Sequence, residues 1–270
     1  MTPKTLIRSL VATCAALVAG AAMAAPIYPN FTVDTSALGG GGKLGNFVAN
    51  DISGQYHEQL TFTSATTFVV TLDFVAQGFN YDDSDPSMSK SLTAGQTGLG
   101  ANYGLLAILN ASGTYSTSGS TTTFTLNPGG DLTLSYDAGA NATFNAPAAP
   151  GGAFTINANG DVITTLATGV GMSGNGSVGC SAPNLCGAFG QETSFALTAA
   201  GASFFVAPNP FYGFSLQSGQ VEGFPVSVGS TVTSSGSLNA VFAPIPEPGS
   251  MAMMGLALVG FMAVRQRRRS

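Results

Sequence analysis

Charged side chains are scarce in this 270-residue chain. They make up 8% of it, against about 25% in an ordinary globular domain, and the chain has no tryptophan and a single histidine, His57. The 36 glycines and 14 prolines disfavour a long helical protein. A disordered chain is also excluded, because 44% of the residues are hydrophobic. Few groups are therefore available for metal binding or acid–base catalysis.

The first 24 residues are predicted to be a secretory signal peptide. Lys4 and Arg8 provide a basic start, residues 10–22 form an apolar run, and Ala22-Met23-Ala24 is a small-x-small cleavage site. The apolar run is too short to favour a transmembrane helix. Signal peptidase is therefore an expected processing partner, and the protein is expected to be exported.

The C-terminal segment combines three features that point to a membrane stop. Pro246-Glu247-Pro248, followed by Gly249 and Ser250, holds an extended backbone ahead of an apolar stretch at Met251–Val264. As a helix, that stretch spans about 21 Å, less than a hydrocarbon core of about 30 Å. By the positive-inside rule, the basic tail predicts a cytoplasmic C-terminus. Because the apolar stretch is short, the helix is suited to a transient anchor. The tail consists of Arg265, Arg267, Arg268 and Arg269.

These three features resemble the PEP-CTERM sorting signal, over residues 244–270. The resemblance implies that an exosortase cuts near Pro246-Glu247-Pro248 and passes the protein on toward the cell surface or extracellular matrix. A plain tail anchor is the alternative interpretation. The resemblance implies nothing about the body of the chain, residues 25–243.

The body is acidic once the two ends are set aside. Without the signal peptide and the four tail arginines, Lys43 and Lys90 are the remaining basic residues against thirteen acidic ones, counted up to Glu247, a net charge of −11. Long-range repulsion disfavours binding to nucleic acid or to a bare anionic membrane. Divalent cations and neutral or cationic polymers are the compatible partners.

Cys180 and Cys186 are predicted to form a disulfide that closes a small loop. They are the two cysteines outside the signal peptide, and export would bring them into an oxidising compartment. A redox dithiol or part of a zinc site is the alternative. Those alternatives are disfavoured because the pair lacks the C-x-x-C spacing and has no third ligand nearby in the sequence.

The body is predicted to be all-β, because apolar residues alternate with polar ones along several short segments. Phe68, Val70, Leu72 and Phe74, for example, keep the period of two that a half-buried strand requires. Clusters of Asn, Pro and Gly separate the segments. Together they predict a single β-sandwich or jelly-roll-like domain. The predicted strands are 57–63, 67–75, 103–109, 121–126, 131–136, 153–157, 161–167, 193–198, 203–207, 212–217, 225–228 and 237–242.

Glycine-rich stretches at Gly39–Gly42 and Gly169–Gly179 are predicted to be loops, because glycine weakens strands. Asn159-Gly160 lies between two predicted strands and indicates a two-residue hairpin turn of type I′. No segment of the body keeps a helical period.

Candidate chemistry in the body is sparse. Asp82, Asp83 and Asp85 lie close together and form a weak candidate calcium site, the alternative being a solvated polar loop. His57 beside Glu58 has the chemistry of a general base, but no nucleophile motif accompanies it. It is therefore predicted to lie at the surface or at a strand edge, and no other cofactor is expected.

Part of the body resembles the flocculation-associated PEP-CTERM proteins of floc-forming bacteria. The resemblance implies a role in retaining exopolysaccharide at the cell surface and supplies no catalytic residues. The similar segments are Phe31-Thr32-Val33-Asp34 with Leu38-Gly39-Gly40, the segment from Phe47 to Glu58, and the segment from Gly98 to Ala107.

The sequence thus predicts an exported, non-enzymatic surface or matrix protein that binds polysaccharide and promotes floc or biofilm formation. A matrix-modifying hydrolase is one alternative, which requires two carboxylates at a fixed separation, drawn from Asp73, Asp131, Asp137 and Asp161. A calcium-dependent adhesin is the other.

Overall fold

The computed structural model describes residues 29–38, 44–81, 90–179, 185–209, 211–218, 221–222, 224 and 226–243. The predicted signal peptide, the C-terminal segment, the Asp82–Asp85 cluster, Gly39–Gly42 and Cys180 lie outside these residues, as does the side chain of Cys186. Within the described ranges, no helix combines the length and the hydropathy needed to cross a membrane.

Strands dominate the described residues, which confirms the all-β prediction. Two short helices accompany them, α1 (Ala94–Thr97) and α2 (Ala199–Phe204). The strands are β1 (Phe31–Asp34), β2 (Asn46–Ala49), β3 (Asp51–Phe62), β4 (Thr67–Tyr81), β5 (Lys90–Ser91), β6 (Gly104–Ser118), β7 (Thr121–Leu126), β8 (Gly129–Asp137), β9 (Thr143–Asn145), β10 (Thr155–Asn157), β11 (Ile163–Val178), β12 (Leu185–Thr193), β13 (Ala196–Leu197), β14 (Phe205–Ala207), β15 (Gly213–Ser218), β16 (Val221–Glu222) and β17 (Thr231–Ala243).

The main sheet closes on itself. Its strands follow one another as antiparallel neighbours in the order β11, β7, β6, β4, β3, β17, β15 and β12. β12 then pairs with β11, which returns the hydrogen bonding to the first strand. β8 bridges β6 and β11 alongside β7. The inner faces of β3, β4 and β6 oppose those of β12, β15 and β17 around one small cavity, in a sandwich-like manner.

Alternation decides which side chains face the interior. Leu60 and Phe62 on β3, like Phe68 and Val70 on β4, are buried in one hydrophobic cluster. On β3, Gln55 and His57 alternate with buried residues, are exposed and face outward. The period of two read from the sequence is therefore the inside–outside pattern of the closed sheet.

Aromatic rings fill the core in two clusters. In one cluster, the ring centroids of Phe31 and Phe242 lie 4.9 Å apart in an edge-to-face arrangement. In the other, the ring centroids of Phe62 and Tyr115 lie 5.0 Å apart. The small antiparallel sheet of β14, β1 and β2 contributes Phe31 and Phe205 to the first cluster.

The loop prediction for Gly169–Gly179 is wrong, because most of this stretch belongs to β11. The neighbouring strands come so close that there is little space for side chains. A Cβ atom on Gly174 would overlap Leu126, and one on Gly169 would overlap the carbonyl oxygen of Ser194. Glycine is therefore required here by packing against β7 and β12 rather than by a turn.

The Asn159-Gly160 turn forms as predicted, but the hairpin does not. The φ angles are +48° and +94°, and the amide of Asp161 donates to the carbonyl of Ala158 across 2.9 Å. The strands on either side do not pair, since β10 pairs with β9, whereas β11 pairs with strands of the main sheet. Local turn chemistry was sufficient to predict the turn, and strand pairing depended on distant residues.

Two further strand predictions need correction. Of the predicted strand 203–207, residues 205–207 form β14, whereas residues 203 and 204 belong to α2. Thr198 caps α2 by accepting a hydrogen bond from the amide of Gly201 at 3.1 Å. Residues 226–228 are not in a strand, and residue 225 lies outside the described residues.

Candidate functional site

A groove of about 790 Å³ lies on the outer face of β4, β3 and β17. Residues in register on neighbouring antiparallel strands point to the same face, so two rows of polar side chains run across these three strands. The rows supply hydroxyl, amide, imidazole and carboxylate groups. They consist of Asp73, His57 and Ser235, and of Thr71, Gln59 and Thr233.

One wall of the groove is the segment that contains β9 and leads into β10. Phe144, Pro147 and Phe154 of this segment line the groove. Hydrogen bonds hold it on the sheet, since the amide of Phe154 donates to Thr71 Oγ1 at 3.3 Å and that of Gly151 donates to Thr61 Oγ1 at 3.1 Å. The groove therefore combines a polar floor, which offers hydrogen bonds, with an aromatic wall, which offers apolar contact.

A hydrogen-bonded pair, His57 and Asp73, crosses the groove floor. Nδ1 of His57 lies 3.0 Å from Asp73 Oδ1, and the His57 amide donates to the same oxygen at 3.2 Å. The Asp73 side chain is 2% exposed and that of His57 is 62% exposed. Burial raises the pKa of the Asp73 carboxyl, although the hydrogen bonds from His57 oppose this rise.

The buried carboxylate orients the exposed imidazole. With Asp73 ionised, Nδ1 of His57 is assigned as the proton donor, so that Nε2 of the neutral ring is free to accept a hydrogen bond. Ser235 follows His57 in the same row, and no hydrogen bond joins the two among the described residues. The arrangement presents a fixed acceptor to a ligand hydroxyl.

The candidate carboxylates for hydrolysis are dispersed. Asp73 lines the groove, whereas Asp131 accepts from Asn110 Nδ2 at 3.0 Å elsewhere on the sheet. The Asp137 carboxylate accepts from the backbone amides of Gly139, Asn141 and Ala142, and Asp161 accepts from Asn141 Nδ2 at 2.6 Å. The described residues thus place no second one of these four carboxylates beside Asp73.

The remaining predicted sites are not covered by the described residues. Asp82, Asp83 and Asp85 lie outside them, as do Cys180 and the sorting-motif residues 246–250. In the part of the chain that is described, no three His, Cys, Asp or Glu side chains gather into a metal site. The calcium site and the disulfide therefore stay predictions.

The polar rows were missed because they cross three strands that are far apart in sequence. Each strand shows part of the signal, since Gln55, His57 and Gln59 alternate with buried residues along β3. The sequence did not show that β17 would lie beside β3. Only that pairing brings Thr233 and Ser235 next to this face.

The family model of the PEP-CTERM protein-sorting motif matches residues 244–269. The chain therefore carries this motif, which indicates an exported protein sorted by an exosortase. Comparison with curated proteins and with solved structures gave no match.

Proposed function

We propose that this exported protein retains exopolysaccharide at the cell surface, where it promotes floc or biofilm formation without catalysing a reaction. The observation that carries this proposal is the groove on the outer face of β4, β3 and β17, with its rows of polar side chains and its aromatic wall. The sorting motif supports delivery of the body to the place where such a polymer is found.

Polysaccharide matches the chemistry of the groove floor. Sugar hydroxyls both donate and accept hydrogen bonds, as do the exposed Thr233 and Ser235 hydroxyls. Each such bond contributes about 0.5–1.5 kcal/mol, so one sugar would bind weakly. A polymer that engages many copies of the protein gains strength through multivalency, which suits retention of a matrix.

Charge favours a neutral or cationic polymer. Lys90 is the lysine among the described residues, and it lies on β5 rather than in the groove lining. An anionic polymer would gain no ion pair with lysine or arginine there and would meet the acidic body. We therefore expect binding to neutral exopolysaccharide to depend little on salt.

The test is a double substitution in the groove, Thr233→Val with Ser235→Ala. The matched control is Thr114→Val with Ser112→Ala, which removes two exposed hydroxyls from β6, outside the groove lining. We expect the groove variant to lose about 5- to 150-fold in affinity for purified exopolysaccharide, the cost of two hydrogen bonds at about 1–3 kcal/mol in total. Equal binding by the two variants, at equal melting temperatures, would contradict the proposal.

A matrix hydrolase is the second candidate, because Asp73, His57 and Ser235 share one row in the groove. Incubation of the protein with exopolysaccharide distinguishes the two functions. We expect the chain length and the acyl content of the polysaccharide to stay unchanged, whether or not a chelator is present. Hydrolysis that disappears in His57→Ala would support the hydrolase instead.

A further inference from the structure

A buried polar pair lies inside the closed sheet. Glu58 of β3 and Gln191 of β12 are 8% and 2% exposed, and both line one small internal cavity. Ser234 Oγ donates to Glu58 Oε2 across a long 3.5 Å, and neither amide atom of Gln191 has a hydrogen-bond partner among the described residues. The cavity is completed by Tyr56, Leu72, Leu109, Phe189, Leu216 and Leu238.

The cavity has room for one water molecule. Its volume of about 10 Å³ is close to the roughly 10–15 Å³ that a single water centre requires. A buried water needs two to four polar partners, and the polar groups of the two lining residues are the Glu58 carboxyl and the unpartnered amide atoms of Gln191. A bridging water would satisfy the Gln191 amide, which is otherwise buried at a cost in stability.

We propose that Glu58 and Gln191 form an internal, proton-linked site that holds one water molecule, and that loss of the Glu58 proton weakens the β11–β12 seam. A protonated Glu58 both donates and accepts a hydrogen bond, so it shares the water with the Gln191 amide. An ionised Glu58 would be surrounded by four leucines with one long hydrogen bond, an unfavourable place for a charge.

The surroundings of Glu58 support the neutral form. Burial raises the pKa of Glu58 from 4.5 to about 7, and the hydrogen bond from Ser234 opposes this rise. Tyr56 is the titratable neighbour at the cavity, and burial together with the nearby Glu58 raises its pKa to about 12, so it stays neutral. The other strands present leucine, phenylalanine and amide side chains to the cavity. His57 and Asp73 lie on the opposite face.

The seam between β11 and β12 is the part of the sheet that Gln191 touches. Gln191 is in register with Gly174 of β11, and this ladder is irregular between Gly171 and Ser173. A Cβ atom on Gly171 would overlap Nε2 of Gln191, so the amide packs directly against the β11 backbone. A charge at Glu58 therefore acts on the closing strand pair through Gln191.

Glu58→Gln is the variant that tests the proton linkage. Because the folded pKa lies above the unfolded one, the stabilisation is complete below about pH 4.5 and is lost as pH rises through about 7. From pH 5.5 to 8.5, Glu58 alone should lower the folding equilibrium constant about 30-fold. Chemical unfolding of the purified full chain measures this loss. We expect it in the wild type and in the control Asp131→Asn, which removes an exposed carboxylate on β8, and not in Glu58→Gln.

Hydrogen exchange tests the place of the effect. After correction for the intrinsic pH dependence, we expect amides 174–177 and 188–191 to exchange faster at pH 8.5 than those of β3 and β4. Gln191→Leu should lose the water and keep the pH-dependent loss. Should Glu58→Gln not fold, infrared detection of the protonated Glu58 carboxyl at pH 6 in the wild type replaces it.

Three results would overturn the proposal. The first is an equal pH-dependent loss of stability in Glu58→Gln and the wild type. The second is uniform exchange at pH 8.5 without preference for the seam. The third is a high-resolution crystal structure in which Glu58 and Gln191 bond directly with no water between them.

Discussion

Single buried side chains hold the groove in shape. Thr71 is 4% exposed, and its hydroxyl has two roles, because it donates to Asn110 Oδ1 at 2.7 Å and accepts from the amide of Phe154 at 3.3 Å. Asp73, which is also buried, orients the His57 ring through the hydrogen bond between Asp73 Oδ1 and His57 Nδ1. The polar floor is thus fixed by residues that a ligand hardly touches.

At this scale we expect Thr71→Val to detach the aromatic wall. Valine keeps the shape of threonine but leaves the backbone amide of Phe154 and the side-chain oxygen Oδ1 of Asn110 without their partner. This loss should cost about 1–3 kcal/mol of stability. Binding of exopolysaccharide should fall as well. Unfolding in denaturant measures the first effect, with Thr114→Val on the outer face of β6 as the control. A Thr71→Val protein as stable as the control would contradict this role.

Among the elements, β11 shows where sequence patterns fail. Its glycines predicted a loop, because an isolated glycine weakens a strand, yet Gly169 and Gly174 lie where neighbouring strands leave no space for a Cβ atom. By contrast, β7 was predicted over its full length and β4 over residues 67–75 of its range 67–81, because their apolar residues alternate. Local patterns predict strands with alternating side chains and miss those shaped by distant neighbours.

The same reasoning predicts a difference between two glycines on paired strands. In Gly174→Ala the new methyl would overlap Leu126 and approach the carbonyl oxygen of Gly190 at 2.8 Å, which should cost about 1–3 kcal/mol. In Gly190→Ala it would meet the carbonyl oxygen of Leu216 at 3.6 Å, an ordinary contact, and cost less than about 0.5 kcal/mol. Melting temperatures of the two variants provide the measurement. Equal losses would show that close packing does not explain the glycine at position 174.

For the whole molecule, the ends and the body differ in how far the sequence could predict them. The sorting motif was recognised because its residues are adjacent, and the family model matches it at residues 244–269. The all-β class followed from alternation. Two strand pairings, β17 with β3 and β12 with β11, join segments that are far apart in sequence, and no local pattern contains them. The closure of the sheet, the polar rows and the buried Glu58–Gln191 pair all depend on these pairings.

Retention of exopolysaccharide by a surface-sorted body is the central claim for the whole molecule. Its most direct test compares cells that express the full chain with cells whose chain ends at Ala243, the last residue of β17. Protein is quantified in the cell and supernatant fractions, and aggregation is scored in the same cultures. We expect the shortened protein in the supernatant and dispersed flocs. Intact flocs with no protein bound to the cells would contradict the claim.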